Sequence, residues 1–162
     1  MNITVDRQLA LDDEDPHSTN LPSGQALEQW VMAALTATNY QADEAELTVR
    51  IVSNDESAEL NEAYRNKQGP TNILSFPYEQ IPGIPLPLLG DLIVAAEVVA
   101  NEAAEQHKPL EAHWAHMIVH GSLHLLGYDH IDDEEATAME ALEISILAKL
   151  GYNNPYEVPE TP

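Results

Sequence analysis

Apolar residues at Ile3, Val5 and Leu9 are separated by polar ones, a pattern that predicts a first β-strand. After Ser23, a residue suited to cap a helix, Leu27, Trp30, Val31 and Leu35 recur at the spacing of one buried helical face. Leu47, Val49 and Ile51 alternate with Thr48 and Arg50 as a second strand, and a polar stretch from Asp55 to Tyr64 reads as a second helix. The chain therefore opens in the order β-α-β-α.

Two short apolar runs follow, NILSF at 72–76 and LLGDLIV at 88–94. They flank PYEQIPGIPLPL, whose four prolines forbid regular helix and predict an exposed loop between two strands. The sheet is thus expected to be mixed and mostly parallel. Helices are predicted over 95–106, over 110–126 with Pro109 placed to start it, and over 133–150, where Met139, Leu142, Ile146 and Leu150 mark the apolar face. Asp132 and Glu135 have capping-box spacing, and Gly151 stands where the last helix should end. The expected architecture is a single α/β domain over residues 1–152, a mixed sheet packed with helices, with a metal-binding helix near the C-terminus. Residues 153–162, NNPYEVPETP, lack the apolar content to pack and are expected to fray.

A length of 162 residues suits one core. The absence of cysteine removes disulfides, thiolate nucleophiles and sulfur ligands together, so any metal must be held by nitrogen and oxygen. The N-terminal segment is acidic and no apolar run is long enough to span a bilayer, so a cytoplasmic protein is expected. Six Lys+Arg against 28 Asp+Glu give a formal charge of -22, which repels polyanions at long range. Because screening limits such repulsion to roughly 8 Å at physiological ionic strength, a local cleft holding a metal and an arginine can still take a phosphodiester.

Six of the seven histidines fall between positions 107 and 130. In HGSLHLLGYDH, His120 and His124 are four apart, hence on one helical face about 6 Å apart along the axis. Gly127 offers a break with positive φ available, which lets His130 approach the same point from outside the helix. Three neutral imidazoles leave a fourth position open, the arrangement of a catalytic zinc site, where bound water has its pKa lowered to about 7. One zinc ion per chain on His120, His124 and His130 is therefore expected. A set of His116, His120 and His124 is the other geometric option, but three ligands along a straight helix span about 12 Å, too far for one ion. His17, His107, His113 and His116 read as structural or solvent-exposed residues.

The spacing H-x-x-x-H-x-x-G-x-x-H also occurs in metzincin proteases, where a Glu directly after the first His is the general base. Here that position is Gly121, so peptide hydrolysis by that route lacks its proton acceptor. Asp129 reads as a turn residue or a partner of the ligands, and Met139 as core. Tyr64, Thr71, Ser75 and Asp91 have adequate structural readings, while Asn61, one helical turn before position 65, could orient its neighbour or the substrate.

HGSLHLLGYDH resembles the signature of the YbeY endoribonucleases, also called rRNA maturation factors. The likeness extends through NEAYRNKQGPTNILSFPYE, LLGDLIV and GYNNPY, leaving out only the first twenty residues or so and the tail. The resemblance implies a mixed α/β fold, zinc on His120, His124 and His130, and Arg65 as the catalytic arginine. It implies a single-strand-specific endoribonuclease acting in 16S rRNA 3′-end maturation and ribosome quality control, on RNA and not DNA, with no membrane association. Asn72 departs from the Asp of many relatives, and no catalytic role is assigned to it. The residue chemistry of Arg65 agrees in kind, since a guanidinium pairs bidentately with phosphate and stabilises charge growing in a transition state. The acidic surface suggests a basic ribosomal protein or assembly factor as partner. The competing expectations are a noncatalytic assembly factor whose zinc fixes the C-terminal helices, and a metzincin-like hydrolase of another bond.

Overall fold

A computed structural model of the chain describes residues 2–78, 87–129 and 132–156. Four strands, β1 (Asn2–Ala10), β2 (Glu44–Val52), β3 (Ile73–Pro77) and β4 (Leu88–Ala95), form one sheet in the order β1-β2-β4-β3. β1, β2 and β4 run parallel, and β3 pairs antiparallel with β4 at the edge. The mixed, mostly parallel sheet expected from the sequence is what forms. Parallel strands need helical crossovers, which α1 (Gly24–Ala37) supplies between β1 and β2, and α2 (Asn54–Arg65) begins between β2 and β4. The helices α3 (Ala96–Glu105), α4 (Leu110–Leu125) and α5 (Asp133–Leu150) follow, and a one-turn 3-10 helix at Pro16–Ser18 precedes α1.

The helix boundaries follow local chemistry. Ser23 caps α1 by accepting from the Ala26 amide, Ser53 caps α2 through the Glu56 amide, and Asp132 caps α5 through the Glu135 amide. Gly151 closes α5 in the left-handed conformation, φ 94°.

The central element is α4. It packs on β3 and β4 and touches α1, α3 and α5, so it is buried almost all round. Leu27, Val31 and Leu35 of α1, Leu47, Val49 and Ile51 of β2, Leu92 and Val94 of β4, and Trp114, Ile118 and Leu123 of α4 make the core. From α5, Met139, Ile146 and Leu147 join them, and Leu142 and Leu150 pack partly buried against it.

Of the expected tail at 153–162, residues 153–156 are described: Pro155 is buried, and the Tyr156 hydroxyl donates a 2.7 Å hydrogen bond to Glu143. Residues 157–162 lie outside those described.

At Gly90 the β4 backbone has φ +147°, next to the point where the β2–β4 register shifts. A Cβ there would run into the Phe76 carbonyl and lie 2.9 Å from Pro77 Cα, both main-chain atoms of the paired strand. Gly90→Ala is expected to lower stability by about 3 kcal/mol through strain and overpacking, read as a shift in the urea unfolding midpoint.

Candidate active site

His120 is the sixth-to-last residue of α4 and His124 lies one turn further on, so both rings leave the same side of a helix whose other sides are buried. Each ring has its Nδ1 against an acceptor: His120 Nδ1 lies 3.2 Å from Glu143 Oε2, and His124 Nδ1 lies 2.9 Å from the Tyr128 carbonyl. In the neutral rings both protons therefore sit on Nδ1 and both Nε2 atoms carry lone pairs. Those two Nε2 atoms face each other at 3.1 Å. Two lone pairs at that distance repel unless a proton or cation lies between them. Ligands at about 2.0–2.1 Å from one tetrahedral ion have nitrogens about 3.3 Å apart, so the pair fits a zinc ion.

Gly127, at φ 98°, turns the chain after α4 as its spacing predicts. His130, the third expected ligand, lies outside the described residues. Among the described residues no three His, Asp or Glu side chains form a complete metal-binding group.

Arg65 reaches the same place from the last turn of α2, where its Nη2 donates to the Ser75 carbonyl of β3 at 3.3 Å. Arg65, Lys67, His120 and His124 line one cleft of about 150 Å³ with Asn61, Asn72 and Ser75. Two of the chain's six basic residues thus stand beside the histidine pair. A wider hollow of about 610 Å³ near Trp30 and Trp114 has Glu111 as its single titratable residue.

Asn61 bears on Arg65 through the loop that follows α2. Its side chain is buried and donates to the Gly69 carbonyl at 2.9 Å, while Ser57 bonds both the amide and carbonyl of Thr71. Together they staple α2 to the loop before β3, which sets where Arg65 meets Ser75. Asn72 donates to both oxygens of Glu102, at 3.2 and 3.3 Å. Beside that carboxylate an amide donor is favourable where an aspartate would add like charge.

The remaining histidines of α4 are buried, and their partners were not evident from sequence. His113 Nε2 lies 3.0 Å from Glu102, and His116 Nε2 lies 2.7 Å from Glu143 Oε1, turned away from the His120–His124 pair. His116 is therefore no ligand in this arrangement. Glu143 is only 1% exposed. Burial alone would raise its carboxyl, but hydrogen bonds from His116 and His120, the charge of His120 and the Tyr156 hydroxyl hold it at about 2. Burial pushes the His116 imidazole down, outweighing the pull of Glu143, so a neutral ring donates Nε2–H to a charged carboxylate.

Comparison with known proteins now bears on the fold and the cleft together. Residues 12–151 match the family model of endoribonuclease YbeY. The chain belongs to the YbeY endoribonuclease family. One YbeY relative, the endoribonuclease YbeY of Cellvibrio japonicus, is 56% identical over 145 residues, covering 90% of this chain and 81% of the relative. The solution structure of TM1509 from Thermotoga maritima has the same fold, with a TM-score of 0.55 at 22% identity over 96% of this chain and 95% of that one. In this YbeY chain, Gly121, the position of the metzincin base, faces the sheet: a Cβ there would lie 2.7 Å from Ile73 Cδ1 and 2.8 Å from Leu92 Cδ2. At this close approach of α4 to β3 and β4, a side chain at position 121 would have to displace the ends of the Ile73 and Leu92 side chains.

The depressed Glu143 carboxyl has a stability consequence whose sign is fixed. A group held at about 2 in the folded state, against the usual 4.5, contributes stability that is present above 4.5 and lost as pH falls toward 2. The urea midpoint of the metal-free protein is expected to fall over that interval, and to fall less steeply in Glu143→Gln.

Proposed function

We propose that the chain is a metal-dependent endoribonuclease for single-stranded RNA, acting in 16S rRNA 3′-end maturation and ribosome quality control in the cytoplasm. One zinc ion held by His120, His124 and His130 serves the reaction, and Arg65 is the catalytic arginine. The observation that carries this reading is the His120–His124 pair, Nε2 to Nε2 at 3.1 Å, in a cleft that Arg65 also lines. The family supports the reaction class.

A bound zinc ion supplies Lewis acidity that activates water at neutral pH. The chain's own residues do the rest. His120 and His124 present neutral nitrogens because Glu143 and the Tyr128 carbonyl hold their protons on Nδ1. Arg65, tethered to β3 by one nitrogen, has further N–H groups for a phosphate oxygen, and its charge stabilises the negative charge that grows on the phosphoryl group. Lys67 adds a second positive charge at the cleft. With Gly121 pressed against the sheet, the carboxylate of a metzincin-type peptidase has no counterpart there.

Net charge bears on how RNA arrives. With 28 acidic and six basic residues the chain binds polyanions poorly by itself, and a basic ribosomal protein or assembly factor is the partner that fits such a surface. Among the described residues no helix is long and apolar enough to cross a membrane.

Arg65→Ala is expected to lower the rate of cleavage of a small-subunit rRNA fragment about 100- to 1,000-fold with zinc content unchanged. His124→Ala is expected to lose both zinc and cleavage. Equal cleavage by the parent and both variants, purified identically, would overturn the assignment.

A further inference from the structure

We propose that Glu143 is the positioning residue of the site: with His116 and Tyr156 it fixes the ring orientation and tautomer of His120, and through Tyr156 it links metal affinity to docking of the C-terminal segment. The metal clause rests on the reading of His120 as a ligand; the tautomer clause does not.

Glu143 occupies a core position of α5, between Met139 and Ile146, where an apolar side chain would be the ordinary choice. An ionised carboxylate accepts hydrogen bonds and donates none, and burying one without donors is costly. Here three donors meet it. His116 Nε2 and Tyr156 Oη reach Oε1, each at 2.7 Å, while His120 Nδ1 reaches Oε2 at 3.2 Å. The two imidazoles come from successive turns of α4 and the phenol from the segment beyond α5, so one carboxylate joins three pieces of chain.

The division of labour follows from the geometry. His116 and Tyr156 share one oxygen, and the Tyr156 ring stands edge-on to His116 with centroids 5.3 Å apart at 82°. That side is fixed by packing. The second oxygen faces His120 Nδ1, which obliges that nitrogen to carry the ring proton and leaves the Nε2 lone pair toward His124. Negative charge behind a ligand imidazole also makes it a stronger donor to a cation. Tyr156 is held in turn by Asn154, whose Oδ1 accepts from the Tyr156 amide at 2.8 Å, and by the buried Pro155.

The test uses the full chain with Glu143→Gln and, separately, Tyr156→Phe. Gln offers one acceptor oxygen to three donors, so His120 loses its assured partner with little change of shape. Two quantities are measured: the zinc dissociation constant by competition with a chromophoric chelator, and the His120 tautomer in the metal-free protein from ring ¹⁵N chemical shifts. Glu143→Gln is expected to weaken zinc binding about 10- to 100-fold and to lower the share of the Nδ1–H form of His120. Tyr156→Phe is expected to weaken zinc binding in the same direction by a smaller factor, about 3- to 10-fold.

Zinc affinity within twofold of the parent and an unchanged His120 tautomer in a folded Glu143→Gln protein would overturn the proposal, leaving Glu143 as a hydrogen-bond acceptor for His116 and Tyr156 only. Unaltered affinity in Tyr156→Phe would remove the C-terminal link. Should Glu143→Gln fail to fold, Tyr156→Phe carries the test, since it deletes one oxygen from a ring that is 44% exposed. A parent that takes up no zinc overturns the metal reading, and the ring spectra then decide the positioning role by themselves.

Discussion

The constraint on which the structure depends is that α4 is buried on nearly every side and still carries His113, His116, His120 and His124. An imidazole placed in a core needs partners for its nitrogens, or folding loses the hydration it had in water. The neighbouring elements meet one nitrogen of each ring, while Nδ1 of His113 and of His116 stays buried without a hydrogen bond. Glu102 of α3 meets His113, Glu143 of α5 meets His116 and His120, and the Tyr128 carbonyl after α4 meets His124. Acidic residues on two flanking helices thus exist because of what the central helix carries.

The same constraint sets His113 and His116 apart from the two histidines proposed as ligands. His113 and His116 point their Nε2 atoms at carboxylates, which fills the nitrogen that a metal would need. His120 and His124 are held by Nδ1 and keep Nε2 on the cleft side. Four residues of one type on one helix fall into two pairs according to which ring nitrogen the protein occupies.

Much of this architecture is legible along the chain. Alternation at Leu47, Val49 and Ile51 marks β2, the apolar run before Ala95 marks β4, and Ser23, Asp132 and Gly151 mark helix ends through purely local hydrogen bonding or φ. The His120–His124 spacing is legible for the same reason, since helix geometry alone brings those residues together. Arg65 reaches the cleft because α2 packs against the loop before β3, a long-range arrangement that spacing does not encode. Resemblance to the family was what singled it out. Glu143 went unnoticed because a carboxylate in an apolar stripe reads as an interruption of the stripe. Its signal was there: a charge at a position the Met139–Ile146 periodicity places inside must have donors, and the histidines of α4 are the nearest supply. Tyr156 was hidden by the polar composition around it.

The crowding of Arg65 and Lys67 into one cleft on a molecule of formal charge -22 moderates an ordinary rule of polyanion binding. A basic nucleic-acid binder loses affinity steadily as salt rises, because its contacts are attractive at every distance. A strand approaching this molecule is repelled by the whole surface first and attracted by the cleft only within a few ångströms. Salt screens the long-range repulsion of the whole surface together with the contacts of the exposed Arg65 and Lys67. Affinity for a strand is therefore expected to fall less steeply with salt than it does for a basic nucleic-acid binder.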